Sequence, residues 1–142
     1  MTRARILLAD DHREMRDRVV HLLEPEFEML EPVADGRALL EKVGELNPDV
    51  CLLDISMPIL NGIEVANHLK DAGSRVKVIF LTIHGDWDFV QAALKTGASG
   101  YVVKPRIASD LNTAVREALA GRQFISPSVC KTQGNSRGVR RP

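Results

Sequence analysis

Residues 50–62 read VCLLDISMPILNG. Four apolar residues run without interruption into Asp54, and Pro58 and Asn61-Gly62 then mark a turn. A strand with one wet face alternates apolar and polar residues. An unbroken apolar run of this length, closed by turn residues, is the pattern of a parallel strand buried on both faces. Asp54 thus stands at the carboxyl end of a central strand.

Three runs on either side have the same form. Arg5 to Ala9 reads RILLA before Asp10-Asp11, Val76 to Leu81 reads VKVIFL before Thr82, and Gly100 to Val103 reads GYVV before Lys104. Between them lie apolar residues at helical spacing: Met15, Val19, Leu22 and Leu23; Leu39, Leu40, Val43 and Leu46; Ile63, Ala66 and Leu69; Val90, Ala93 and Leu94; Leu111, Val115, Ala118 and Leu119. A weaker strand, Phe27 to Ala34, fits between the first two helices, and Pro32 predicts that it lies at an edge or ends early. Strand and helix therefore alternate five times. Such alternation implies an α/β domain, a five-stranded parallel sheet with helices on both faces, because each parallel crossover needs a long connection. Asn47-Pro48, Gly73 and Gly97 mark the ends of the second, third and fourth helices, and Asp86 is a candidate N-cap of the fourth.

In such a sheet, ligands gather beyond the carboxyl ends of the strands. Four strand ends bring Asp10, Asp11, Asp54, Thr82 and Lys104 toward one point. Three carboxylates there repel one another, and a divalent cation relieves that repulsion. An oxygen-only ligand set suits Mg2+. With the ion in place, one carboxylate can attack a phosphoryl donor while cation and lysine offset the charge on the equatorial oxygens. Asp54 stands alone on its strand and is the candidate nucleophile. Asp10 and Asp11 are left for the metal, and Lys104 and the Thr82 hydroxyl for the phosphoryl group.

Composition bounds the rest. A chain of 142 residues with 44% hydrophobic side chains is one domain with room for a proper core. No apolar run approaches the length of a membrane span and no signal-peptide pattern opens the chain, so the expectation is a cytoplasmic protein without membrane contact. Cys51 reads as a small core residue and Cys130 lies in the tail, a pattern that fits a reducing compartment. Overall 19 basic residues balance 19 acidic ones, but Lys131, Arg137, Arg140 and Arg141 lie in the last 12 residues, which hold no acid. The remainder is mildly acidic and a poor nucleic-acid binder, so no sequence-specific DNA binding by this chain is expected. His12, His21 and His68 read as residues of solvated helix faces without metal-ligand spacing, and the last 12 residues have a disordered composition.

The segments LADDH, LLDISMPILNG, FLT and GASGYVVKP, in this order, resemble the receiver domain of bacterial two-component response regulators over residues 5 to about 119. The resemblance implies a flavodoxin-like doubly wound (βα)5 fold with strand order 2-1-3-4-5. It implies Asp54 as phospho-acceptor for a sensor histidine kinase and Mg2+ (or Mn2+) as cofactor. Asp11 would be a direct metal ligand, Asp10 a ligand acting mainly through water, and Ser56 would lend its backbone carbonyl. Thr82 and Lys104 would bind the phosphoryl group, with Thr82 and Tyr101 as the switch pair. Lys104-Pro105 falls where such domains often have a cis peptide. Ile83 departs from the small residue usual there, and with Ser56 and His84 it flanks the site where the lifetime of the phosphoryl group is tuned.

More narrowly, DDH, LKTGASGYVVK and AGRQFISPSV resemble receivers that precede a LuxR-type helix-turn-helix output domain. On that reading residues 1–121 are the receiver and residues 122–142 a linker-like, basic, disordered tail. The output domain is missing from this chain, or the receiver acts alone. A homodimer is the self-association the resemblance allows. Two rivals differ in class. An aspartate-nucleophile phosphohydrolase of the haloacid-dehalogenase kind needs a second acid two residues after the nucleophile, where Asp54 is followed by Ser56 and Asp10 by His12. A receiver-like interaction module that never takes phosphate would not need all five residues. Neither rival describes a chain that has the five without the acid, and no turnover enzyme is expected.

Overall fold

A computed structural model describes residues 3–83 and 87–127. Its strands and helices alternate as β1 (Arg5–Ala9), α1 (Arg13–Leu23), β2 (Glu28–Met29), α2 (Gly36–Leu46), β3 (Val50–Asp54), α3 (Gly62–Asp71), β4 (Lys77–Thr82), α4 (Trp87–Leu94), β5 (Gly100–Val103), α5 (Ile107–Leu119) and β6 (Phe124–Ile125). A 3-10 turn, Lys104–Arg106, joins β5 to α5. All pairings are parallel, in the order β2-β1-β3-β4-β5-β6. The flavodoxin-like order 2-1-3-4-5 is thus present, extended by one edge strand.

Side-chain alternation along the buried strands builds two cores. Leu7, Cys51, Leu53, Val78, Phe80 and Tyr101 face α2, α3 and α4, packing with Leu39, Val65, Ala66, Val90 and Ala93. Ile6, Leu8, Leu52, Ile79, Leu81 and Val102 face α1 and α5, against Val19, Leu23, Leu111, Val115 and Ala118. Neighbouring residues of one strand feed opposite layers, which is why the strands read as unbroken apolar runs. Cys51 is a free thiol in this interior, and burial pushes its pKa up to about 12, so it is inert packing.

Polar groups set the ends of elements. Asn47 closes α2 in the left-handed conformation (φ 48°), and Gly73 does the like after α3 (φ 72°). Asp35 caps α2 by accepting from the Ala38 N–H. Asn61 and Glu64 form a reciprocal capping box at the start of α3. The suggested cap of α4, Asp86, lies outside the described residues, as do His84, Cys130 and the basic tail.

The weak strand lies at the sheet edge and ends early, as Pro32 predicts, spanning Glu28–Met29 with one further bridge from Ala9 to Val33. Two other expectations need revision. No peptide bond among the described residues is cis, so Lys104-Pro105 is trans; Pro105 sits in the first turn of the 3-10 segment, where its fixed φ already suits the chain. Residues 124–125, expected in a linker, form β6. Ile125 packs on one core and Phe124 on the other. A two-residue strand is too short to show a period, so sequence patterning misses it.

Candidate functional site

The carboxyl ends of β1, β3, β4 and β5 carry Asp10 and Asp11, Asp54, Thr82 and Lys104 respectively. Asp10, Asp54, Thr82 and Lys104 are all buried, although each is polar. Burying charge costs free energy unless it is paired. Here Lys104 makes the pairing: its Nζ lies 3.0 Å from Asp10 Oδ2 and 3.2 Å from Asp54 Oδ2.

Each carboxylate is also held from its other side. Asp54 Oδ1 accepts the Ser56 N–H at 3.1 Å. Asp10 Oδ1 accepts the His12 N–H at 2.8 Å, while Arg16 donates to the Asp10 carbonyl at 2.8 Å. Asp10 Oδ2, by contrast, is buried and accepts no well-directed hydrogen bond despite its ion pair with Lys104. Burial raises the pKa of Asp54, and neighbouring Asp10 adds to the rise against the opposing pull of Lys104 and the Ser56 N–H. Burial works against the Lys104 ammonium, but contacts with Asp10 and Asp54 outweigh it and raise its pKa. The lysine is therefore a fixed cation and Asp54 a carboxylate short of positive charge.

One oxygen or nitrogen from each of Asp10, Asp11, His12 and Asp54 lies within 4.8 Å of the others. A buried carboxylate oxygen whose close partner is a lysine shared with Asp54, a carboxyl with a raised pKa and a cluster of hard donors fit a divalent cation of the Mg2+ or Mn2+ kind. Ser56 is exposed, at the start of the β3–α3 loop, with its N–H turned to Asp54.

Thr82 lies one residue past Leu81, the register partner of Asp54. Strand alternation puts it on the same face as Phe80, whose partner in β5 is Tyr101. Tyr101 itself is not at the site but fully buried in the core beneath α3 and α4. Ile83 projects to solvent, 71% exposed, and does not fill the pocket.

Sequence patterning missed two contributors. His12 was expected on a solvated helix face, yet it precedes α1 and turns its Nδ1 to within 3.1 Å of Asp11 Oδ1; its adjacency to the acidic pair was the available clue. Gly62 carries only a turn signal in the sequence. It begins α3 hard against β3, where a Cβ would lie 2.5 Å from the Asp54 carbonyl oxygen.

Residues 6–116 match the family model described as response regulator receiver domain. The chain belongs to the response regulator receiver family. Among curated relatives of this receiver, the transcriptional regulatory protein DegU of Brevibacillus brevis is 43% identical over 126 residues, covering 87% of this chain and 53% of DegU. The chemotaxis protein CheY of Halobacterium salinarum is 33% identical over 114 residues, covering 80% of this chain and 95% of CheY. A crystal structure of a two-component response regulator of the LuxR family, from Aurantimonas sp. SI85-9A1, superposes with a TM-score of 0.86 at 31% identity, covering 92% of this receiver and 94% of that chain. The receiver spans about half the length of DegU and 59% of the Escherichia coli nitrate/nitrite regulator NarL. No helix among the described residues is long and apolar enough to cross a membrane.

Proposed function

We propose that this receiver is a phosphorylation switch in which Asp54 takes a phosphoryl group from a phosphohistidine of a sensor kinase. A carboxylate oxygen of Asp54 forms the new O–P bond as the N–P bond of the donor breaks; the ring nitrogen keeps the bond pair and, with the other ring nitrogen already protonated, leaves as a neutral imidazole, while Asp54 becomes an acyl phosphate. The observation that carries this reading is the Lys104 ammonium set between Asp10 and Asp54, 3.2 Å from the attacking carboxylate. There it meets the charge that develops on the phosphoryl oxygens without having to reorganise.

The remaining residues orient and shield. The Ser56 N–H fixes one oxygen of Asp54 and so presents the other. Thr82, at the neighbouring strand end, donates its hydroxyl to the phosphoryl group and passes its position along the face shared with Tyr101. Asp10, Asp11, Asp54 and the Ser56 carbonyl would hold Mg2+ or Mn2+, which would supply positive charge to offset that of the incoming group. The Asp54 phosphate is a stored state rather than a turnover intermediate, since Ser56 stands where a phosphohydrolase of the dehalogenase kind carries its general acid.

The receiver comprises residues 1–121 together with β6, and acts in the cytoplasm. Regulation of transcription belongs to the longer protein of the DegU kind, with dimerisation of the receiver as the output of the switch. Incubation with acetyl phosphate and Mg2+ tests the chemistry: mass spectrometry should find a phosphoryl adduct on Asp54 in the parent chain and none in Asp54→Asn. Equal labelling of both would refute the assignment. Phosphotransfer from candidate histidine kinases then identifies the donor.

A further inference from the structure

His12 holds the N-cap position of α1 in an extended conformation (φ −103°, ψ 115°) and makes no side-chain cap. Serine, threonine, aspartate and asparagine serve that position because their side chains accept a free N–H. A histidine that does not cap forgoes this stabilisation. Its backbone instead donates to Asp10 Oδ1 at 2.8 Å, and the turn this makes brings the ring over the acidic pair. His12 Nδ1 lies 3.1 Å from Asp11 Oδ1 and 3.5 Å from Asp10 Oδ1.

These separations match one coordination sphere. Ligands about 2.0–2.2 Å from a common ion stand roughly 3.0–3.5 Å apart when adjacent, and about 4.0–4.4 Å when opposite. The donor atoms of Asp10, Asp11, His12 and Asp54 all fall within 4.8 Å of one another. Within the same cluster, the fully buried Asp10 turns Oδ1 to His12 and shares the Lys104 ammonium, 3.0 Å from its Oδ2, with Asp54, so two of the three carboxylates depend on one lysine. His12, with a side chain 71% exposed, can adjust toward an ion without disturbing the core.

We propose that His12 supplies an imidazole nitrogen to the divalent site, so that this receiver binds borderline transition ions such as Zn2+ in preference to Mg2+. Imidazole adds little for the hard Mg2+ ion, which favours oxygen, but a great deal for Zn2+. The inference rests on the functional reading of the three carboxylates as a metal site and goes beyond it in naming a fourth ligand and the ion it selects.

Calorimetric titration of the whole chain with Zn2+ and with Mg2+, for the parent, His12→Ala and Asp54→Asn, separates the possibilities. His12→Ala should lose at least about tenfold in Zn2+ affinity while Mg2+ affinity changes by less than about threefold. Loading with Co2+ as a paramagnetic stand-in for Zn2+ should give a hyperfine-shifted imidazole proton that is absent from His12→Ala. Equal losses for both ions would make His12 a positioning residue for Asp11 and overturn the proposal, as would undiminished Zn2+ binding or no shifted imidazole proton. Mg2+ binding by Asp54→Asn as tight as that of the parent would overturn the functional reading of the site and this proposal with it. Loss of the His12 effect alone overturns only this proposal.

Discussion

The Ser126 hydroxyl donates to Asp110 Oδ2 across 2.9 Å, joining the segment after α5 to the first turn of that same helix, with both residues buried. The same hydroxyl oxygen accepts the Val103 N–H at 3.2 Å, and the Ser126 N–H donates to the Tyr101 carbonyl at 2.9 Å. The chain leaving α5 is thereby fastened to the strand that carries Tyr101 and leads into Lys104.

Ser126→Ala leaves the Val103 N–H without its acceptor and Asp110 short of one donor. A loss of about 1–3 kcal/mol is expected, from the desolvated groups left unmade. Urea denaturation of the variant checks it, and faster amide exchange at Val103 should accompany the loss. Unchanged stability would show that the clasp is replaced by solvent.

Burial pushes the Asp110 carboxyl up, but hydrogen bonds from Arg106, Ser126 and Ser109 outweigh it and hold its pKa below the ordinary value. A depressed folded pKa contributes stability at pH values above that of an unfolded aspartate, ~3.9, and the contribution fades as pH falls through the folded value. The parent should therefore exceed Asp110→Asn in stability at neutral pH. Denaturation curves taken as pH falls below that ordinary value should show the gap narrowing. A gap that widens in acid would contradict the assignment.

Ile59, in the loop after β3, has φ 71° and is 66% exposed. A β-branched residue in this left-handed region costs about 1–2 kcal/mol, and no burial of its side chain offsets that cost. Glycine removes the clash and returns roughly 0.5–1 kcal/mol through its looser unfolded chain. Ile59→Gly should thus be neutral to about 1 kcal/mol more stable, and Ile59→Val no better than the parent, by thermal melts at matched pH.

Gly62 is the converse case. Its added Cβ would meet the Asp54 carbonyl oxygen at 2.5 Å and Ile55 Cα at 3.0 Å, backbone atoms with no rotamer to yield. Gly62→Ala should cost about 1–3 kcal/mol through overpacking. Because the strained atoms belong to Asp54 and its neighbour, slower labelling by acetyl phosphate should accompany it. Normal labelling at reduced stability would confine the effect to packing.

Tyr101 is already buried opposite Phe80, on the face that Thr82 continues. Thr82→Ala should keep phosphorylation at Asp54 yet lose most of any phosphodonor-dependent change in sedimentation, a coupling of about 1–3 kcal/mol. Tyr101→Ala should in addition lose about 3–5 kcal/mol from the cavity it leaves. Both variants responding like the parent would exclude a Thr82–Tyr101 switch.

Much of this receiver was legible in the chain itself. A parallel strand buried on both faces must be apolar throughout, so VCLLD, RILLA, VKVIFL and GYVV declare their own ends, and Asp10, Asp11, Asp54, Thr82 and Lys104 follow at once. Local patterning decided the elements, and parallel alternation decided which ends meet. Distances between side chains far apart in sequence are another matter. Only the packed sheet shows Lys104 bridging Asp10 and Asp54, since that depends on register across four strands and on rotamers set by burial. The same holds for Phe124–Ile125 as a sixth strand, for the Ser126–Asp110 bond and for the inward place of Tyr101. His12 is the local instance of the same limit: its neighbours in sequence were visible, but the direction of its ring follows from a backbone turn fixed by one hydrogen bond to Asp10, a choice no composition or period encodes.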